Sequence, residues 1–159
     1  MSDDTAQLLG PLRERGRWRA DRCPIARSLG VVGTRSAMLI MREAYYGTTR
    51  FDDFAGRVGI TEAVAAARLR ELTGAGLLQR VPYQDPGQRT RHEYRLTEMG
   101  RDLCPAVLAL FEWGSKYLYG SGGAPVTLQH ADCGADIHVT TTCGNGHAVP
   151  LRDMTLARA

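Results

Sequence analysis

The middle of the chain changes from a helical to an alternating spacing of apolar residues. Four apolar residues at positions i, i+3, i+4 and i+7 predict a first amphipathic helix: Phe51, Phe54, Ala55 and Val58. Gly59 is expected to end this helix, and Thr61 to cap a second one. The second helix is predicted from about Glu62 to Ala75, with Gly76 after it. A helix, a short turn containing glycine and a second helix form a helix-turn-helix.

Past Gly76 the alternating pattern predicts a hairpin. Its strands run over 77–83 and 91–97, around a strong turn signal at 85–88. A hairpin directly after a helix-turn-helix is the order of a winged helix, which makes DNA binding the leading functional prediction.

A long amphipathic helix is predicted after the wing, with Thr97 as its N-cap and a kink near Pro105. Its apolar residues recur at helical spacing: Leu103, Val107, Leu110, Gly114 and Tyr117. Such a helix has more apolar surface than one small domain covers, so it is a candidate dimer surface. The predicted fold class is therefore α+β, mainly α: a winged helix-turn-helix with a long C-terminal dimerisation helix and a small β-rich tail.

The DNA-contacting residues are predicted from the face of the second helix that points away from the core. That face carries Thr61, Glu62, Ala63, Ala66, Ala67 and Arg70. Alanine methyls can contact thymine methyls and Glu62 can accept from cytosine, whereas hydrogen-bond donors are few. Much of the affinity is therefore expected from phosphate contacts and DNA shape. Arg68, on the inner line of the helix, is expected in an ion pair with a carboxylate such as Asp53.

Arginines outside the second helix supply the other candidate DNA contacts. Arg89 and Arg91 flank the wing tip and suit a minor-groove or backbone contact, although solvated hairpin charges are the alternative. Arg35 and Arg50, at helix starts, suit phosphate binding or are surface charges.

Several short motifs together resemble the HxlR family of winged-helix regulators, which is related in fold to the MarR group. The resemblance covers roughly residues 20 to 119. The matching segments are Cys23-Pro24-Ile25-Ala26, Leu39-Ile40-Met41-Arg42-Glu43, Arg50-Phe51-Asp52-Asp53-Phe54, Arg68-Leu69-Arg70-Glu71-Leu72 with Ala75-Gly76-Leu77-Leu78, Glu93-Tyr94-Arg95-Leu96-Thr97 with Gly100, and Glu112-Trp113-Gly114. It implies a cytoplasmic homodimer that binds double-stranded DNA at pseudo-palindromic operators, as repressor or activator.

The resemblance also bears on two individual positions. The family often carries a cysteine at Cys23, which in some members senses oxidants or electrophiles and in others is an inert thiol. It usually carries tryptophan where this chain has Ser36. The packing around the first two helices is then expected to be looser, or refilled by Trp18 or Met38.

Composition shifts along the chain predict four segments. Residues 1–17 form a flexible basic arm, 18–119 the DNA-binding and dimerisation domain, 120–123 a linker and 124–159 a β-rich tail. Six arginines against two carboxylates in residues 13–27 could follow the DNA backbone, or could pack on a partner subunit together with Trp18.

The tail holds two pairs of potential metal ligands, His130 with Cys133 and Cys143 with His147. Their spacing resembles a small zinc ribbon. The alternatives are a degenerate ribbon held by strand pairing and a Cys133/Cys143 redox pair. No other cofactor is expected.

Other classes of protein fit the sequence less well. The net charge of +3 is only mildly basic, and neither a leader nor a membrane span is predicted. Sequence motifs of common enzymes are lacking, so no catalysis is expected. A winged helix that binds a protein instead of DNA is the main alternative. A small-molecule effector between the core and the long helix, oxidation of Cys23 and the metal state of the tail are the candidate signals.

Overall fold

The computed structural model describes residues 5–17, 19 and 22–158, and it divides the chain into two compact units. The larger unit spans 24–123, and the smaller one joins the described residues up to Cys23 with those from Ala124 onward. The prediction treats residues 1–17 as a flexible arm separate from the tail. In the structure the described residues up to Cys23 belong to the same unit as the tail, because 7–8 pairs with 155–156.

Six helices and a two-stranded sheet build the larger unit. The elements are α1 (Pro24–Val32), α2 (Arg35–Tyr45), α3 (Phe51–Val58), α4 (Glu62–Gly74), β2 (Leu78–Tyr83), β3 (Arg91–Leu96), α5 (Glu98–Asp102) and α6 (Cys104–Tyr117). Helices α3 and α4 with the hairpin β2–β3 confirm the winged helix-turn-helix that the pattern predicts.

Threonine hydroxyls and left-handed glycines set the limits of these helices. Thr61 accepts a hydrogen bond from the backbone N–H of Val64 at 3.3 Å, and Thr97 accepts one from Gly100 at 3.0 Å. Gly59 has φ +69°, which suits glycine because it lacks a Cβ. These observations confirm both predicted caps and the predicted turn.

The core of the larger unit lies where α2, α3 and α4 meet the base of the wing. Its largest fully buried side chains are Phe54, Ile40, Met41, Leu69, Leu72 and Leu78. Met38 and Tyr94 pack against this core, and the ring of Tyr94 lies edge-on to Phe54 at 6.2 Å between centroids. Met38 is one of the two residues expected to fill the space left where Ser36 replaces the tryptophan of the family, and it packs against the core. The other, Trp18, lies outside the described residues.

The wing sheet is antiparallel, with a register that runs from Leu78 opposite Leu96 to Tyr83 opposite Arg91. Arg50 forms an antiparallel bridge with Glu93 on the other side of β3. The segment before α3 therefore makes one bridge to the edge of the two-stranded wing sheet, which the hairpin pattern did not predict.

The predicted long helix is divided at Leu103, between α5 and α6. Pro105 lies at the start of α6, where its missing N–H costs no helical hydrogen bond. Leu103 and Val107 are half-buried, but Leu110 and Tyr117 from the predicted stripe are exposed. Helix α6 thus leaves part of its apolar surface uncovered within one chain.

The smaller unit contains little regular structure. Strand β1 (Gln7–Leu8) pairs in parallel with β4 (Thr155–Leu156), so the segment predicted as a flexible arm holds a strand. Two further antiparallel bridges, Gln129 with Asp136 and Thr142 with Ala148, close two turns of the tail. None of the described residues in this unit is buried.

Candidate nucleic-acid interface

Helix α4 is held against the core by one face and offers another to solvent. The buried line is Ala65, Leu69 and Leu72. The sequence predicts a core line of Val64, Arg68 and Leu72, flanked by Ala65 and Leu69. Leu72 and the two flanking residues are buried as expected, whereas Val64 is exposed and Arg68 is half-buried.

The solvent face of α4 carries most of the residues predicted to contact DNA. Five of the six are exposed: Thr61, Glu62, Ala63, Ala66 and Arg70. Ala67 is half-buried, at the edge of the face. The face is small and has one guanidinium among short side chains, as the sequence predicts.

Arg68 belongs to the side of α4 and has a different partner from the predicted one. Its Nη1 pairs with the carboxylate of Glu71, one turn further along the same helix, and not with Asp53. The Nε of Arg68 is buried without a hydrogen-bond partner in the described part of the chain. Glu71 is within reach because residues three apart on a helix are neighbours.

The wing brings a second group of cations together near the start of α3. Arg89 and Arg91 are exposed, at the tip and at the beginning of the return strand. The guanidinium of Arg50 lies 4.8 Å above the centre of the Tyr83 ring and 3.5 Å from the carboxylate of Asp85. Arg50 therefore faces the wing, with its charge partly satisfied.

Arg35 is separate from this group. It is the first residue of α2 and is exposed, while Thr34 caps that helix by accepting from Ala37 at 3.2 Å. The structure places Arg35 at a helix start, as predicted.

A buried polar network links α2 to the end of α3. Glu43 accepts two hydrogen bonds from Arg42, at 2.6 and 3.1 Å, and one from the hydroxyl of Thr48 at 3.2 Å. Arg57 in turn donates to the Thr48 hydroxyl at 2.8 Å. The sequence pattern predicts no role for Glu43, although its position three residues after Ile40 on an amphipathic helix is a usable signal. The network fixes α3 and so helps to position the helix-turn-helix.

All four cysteines are free. Cys23, the candidate redox residue, is half-buried just before α1, and Cys104 is half-buried at the start of α6. Cys133 and Cys143 are exposed in the tail.

The four candidate zinc ligands lie in the two turns of the tail. The Nδ1 of His130 is 3.3 Å from the sulfur of Cys133. Backbone N–H groups, first that of Asn145 and then that of His147, lower the pKa of the Cys143 thiol. Within the described residues, however, no three or more potential ligands are grouped as a metal site requires. The structure thus forms the local His130–Cys133 pair without assembling a four-ligand centre.

None of the helices in the described residues has the length and apolar character to cross a bilayer.

The chain is similar in sequence to helix-turn-helix transcriptional regulators. A model of the HxlR-like helix-turn-helix family matches residues 31–121. The uncharacterized HTH-type transcriptional regulator Rv3095 of Mycobacterium tuberculosis is 41% identical over 132 residues, which are 82% of this chain and 82% of that protein. The uncharacterized HTH-type transcriptional regulator YdeP of Bacillus subtilis is 32% identical over 96 residues, 60% of this chain and 73% of that one.

Solved structures agree with these sequence matches. PA1607, provisionally a transcription factor, superposes with a TM-score of 0.78 at 35% identity, covering 87% of this chain and 96% of that one. The reduced form of the redox regulator HypR has a TM-score of 0.53 at 33% identity, covering 58% of this chain and 90% of that one.

Proposed function

The chain belongs to the HxlR-like helix-turn-helix family of transcriptional regulators, and we propose from this premise that it acts as a homodimer on a pseudo-palindromic DNA site. The observation that carries the proposal is the solvent face of α4. It follows a left-handed glycine turn, has a capped start and lies beside an arginine-bearing wing. A helix presented in this way fits the major groove.

Recognition by this face would depend on few direct base contacts. Ala63 and Ala66 offer methyl groups to thymine, Glu62 an acceptor for cytosine and Arg70 a bidentate donor for guanine or phosphate. Arg89 and Arg91 would hold the DNA backbone or the minor groove beside it. The remaining specificity would come from the shape of the DNA.

The exposed apolar side chains of α1 and α6 support the homodimer. Ile25 and Leu29 on α1, and Leu110 and Trp113 on α6, are each more than half exposed in the single chain. A second copy would cover them and would bring two α4 helices to half-sites about one helical turn, roughly 34 Å, apart.

Substitutions of the two arginine groups test the proposed surface. Arg89→Ala combined with Arg91→Ala should weaken binding to all DNA sequences alike and lower the salt dependence by about one counterion per lost phosphate contact. Arg70→Ala should also change which site is preferred. Fluorescence anisotropy with labelled duplexes at several salt concentrations measures both effects.

Arg152→Ala is the matched control, because it removes an exposed arginine of the smaller unit. It should leave affinity and salt dependence unchanged. If the wing variant and Arg70→Ala bind as the wild type does, α4 and the wing do not form the DNA-binding surface.

A further inference from the structure

An open cavity of about 670 Å³ lies between the start of α3 and the wing. It is lined by 50–53 at the start of α3 and by five wing residues: Arg80, Tyr83, Arg91, His92 and Tyr94. Cavities of about 300 to 1,000 Å³ are typical of small-molecule sites. Both the position and the size of this cavity were absent from the sequence-based expectations.

Three arginines from three separate segments line the cavity: Arg50 before α3, Arg80 on β2 and Arg91 on β3. Arg50 has Asp85 as its ion-pair partner, which is itself outside the lining. Arg80 and Arg91 have no ion pair with any of the described residues, although Asp52 and Asp53 line the same cavity. Arginines without a carboxylate partner are available to an external anion, which a guanidinium can bind through two parallel hydrogen bonds.

Three aromatic side chains, Phe51, Tyr83 and Tyr94, also line the cavity. Arg50 already stacks on Tyr83, and Tyr94 is fixed by its edge-on contact with the buried Phe54. Phe51 is half-buried and lines the cavity as well. A planar ring could pack between these side chains while its acidic group faces the guanidinium groups. A DNA phosphate alone would leave these aromatic side chains without a contact.

We infer that this cavity binds a small aromatic anion, a planar ring that carries a carboxylate or a phosphate, and that such a ligand displaces DNA. The second half of this inference rests on the proposed function, because Arg50 and Arg91 are shared with the predicted DNA contacts. Arg80 and Tyr83 belong to the cavity and not to the predicted DNA surface, so they separate the two roles.

Calorimetric titration of the full chain without DNA tests the binding site. The probes are benzoate and phenyl phosphate, with cyclohexanecarboxylate and inorganic phosphate as the matched anions without an aromatic ring. At least one aromatic probe should bind about tenfold or more tightly than its matched anion, a difference of about 1.4 kcal/mol. The tighter of the two aromatic probes identifies the acidic group as carboxylate or phosphate.

Variants assign the binding to this cavity. Arg80→Ala and Tyr83→Ala should each weaken binding of the aromatic probe about tenfold, whereas Arg101→Ala, on α5, should leave it unchanged. Equal binding of aromatic and non-aromatic anions, or an affinity that Arg80→Ala does not alter, would overturn the inference.

A second titration with labelled DNA separates this inference from the proposed function. The aromatic probe should lower the DNA affinity of the wild type and should have a much smaller effect on Arg80→Ala. DNA binding that no aromatic probe disturbs would overturn the displacement step alone. Failure to bind DNA at all, with probe binding intact, would overturn the proposed function and leave the cavity assignment in place.

Discussion

Glu43 illustrates what individual residues contribute beyond the hydrophobic pattern. It is a carboxylate with 7% exposure in a core of aliphatic and aromatic side chains. Bonds from Arg42 and Thr48 compensate for its burial. The sequence pattern locates the apolar neighbours, since these repeat at helical spacing. It does not identify the partners, because Thr48 and Arg57 come from a loop and from another helix.

Tyr45 connects α2 to α5 and predicts a pH dependence of stability. Its hydroxyl donates to the carbonyl oxygen of Gly100 at 2.7 Å. Burial, and to a smaller extent the neighbouring Cys104, raise the pKa of Tyr45 from 10.0 to about 12. The unfolded chain ionises first, so this stabilisation is complete below about pH 10 and is lost as the pH rises toward 12.

Tyr45→Phe should therefore lower the free energy of unfolding by about 1 kcal/mol at neutral pH. The difference from the wild type should shrink as the pH rises above 10. Urea unfolding of both proteins at a series of pH values measures it. A difference that stays constant up to pH 11 would contradict the assigned hydrogen bond and its titration.

Gly100 is required by close packing, which the sequence pattern does not reveal. A Cβ at this position would meet the carbonyl oxygen of Leu77 and the Leu96 side chain. Gly100→Ala should lower the free energy of unfolding by about 2 kcal/mol or more. Gly56→Ala is the control, because no atom lies within 4 Å of a Cβ added there.

Gly56 lies inside α3, so Gly56→Ala should raise the stability, by up to about 1 kcal/mol. Chemical denaturation of both variants gives the comparison. Equal stabilities for Gly100→Ala and the wild type would show that α5 can move away from Leu77 and Leu96 without a loss of folding free energy.

At the scale of elements, local signals predicted most of the fold. Helix α4, its cap and the wing hairpin each depend on residues close together in sequence. The pairing of 7–8 with 155–156 was not predictable, because two residues carry no periodicity and their partner is at the other end of the chain. For the same reason the bridge of Arg50 to Glu93, and the cavity beside it, appear only in the structure.

The exposed aromatic residues of helix α6 predict where two copies of the chain would meet. Trp113 and Tyr117 form a tilted aromatic pair with 5.9 Å between ring centroids, and both are exposed. Trp113→Glu should convert a dimer into monomers, because a second copy would have to bury the new charge. Sedimentation velocity measures the change.

Val126→Glu is the matched control for assembly, since Val126 is equally exposed but belongs to the smaller unit. It should sediment as the wild type does. A Trp113→Glu protein that remains dimeric would place the interface elsewhere, and a monomeric wild type would remove the homodimer from the proposal.

At the scale of the whole molecule, attraction to DNA depends on local groups of arginines and not on the net charge. The net charge of +3 over 159 residues gives little general attraction to DNA. The winged-helix unit instead concentrates cations on the wing and near the start of α3. Family membership, the solvent face of α4 and this local charge together support a specific regulator of transcription.

One measurement tests that claim most directly: fluorescence anisotropy of the protein with DNA from upstream of its own coding region. The titration is made at low and moderate salt, with unlabelled random DNA as competitor. We predict binding that survives the competitor and weakens steeply as salt rises. Binding no tighter than to random DNA, or an affinity that salt does not change, would contradict it and favour a winged helix that binds a protein partner.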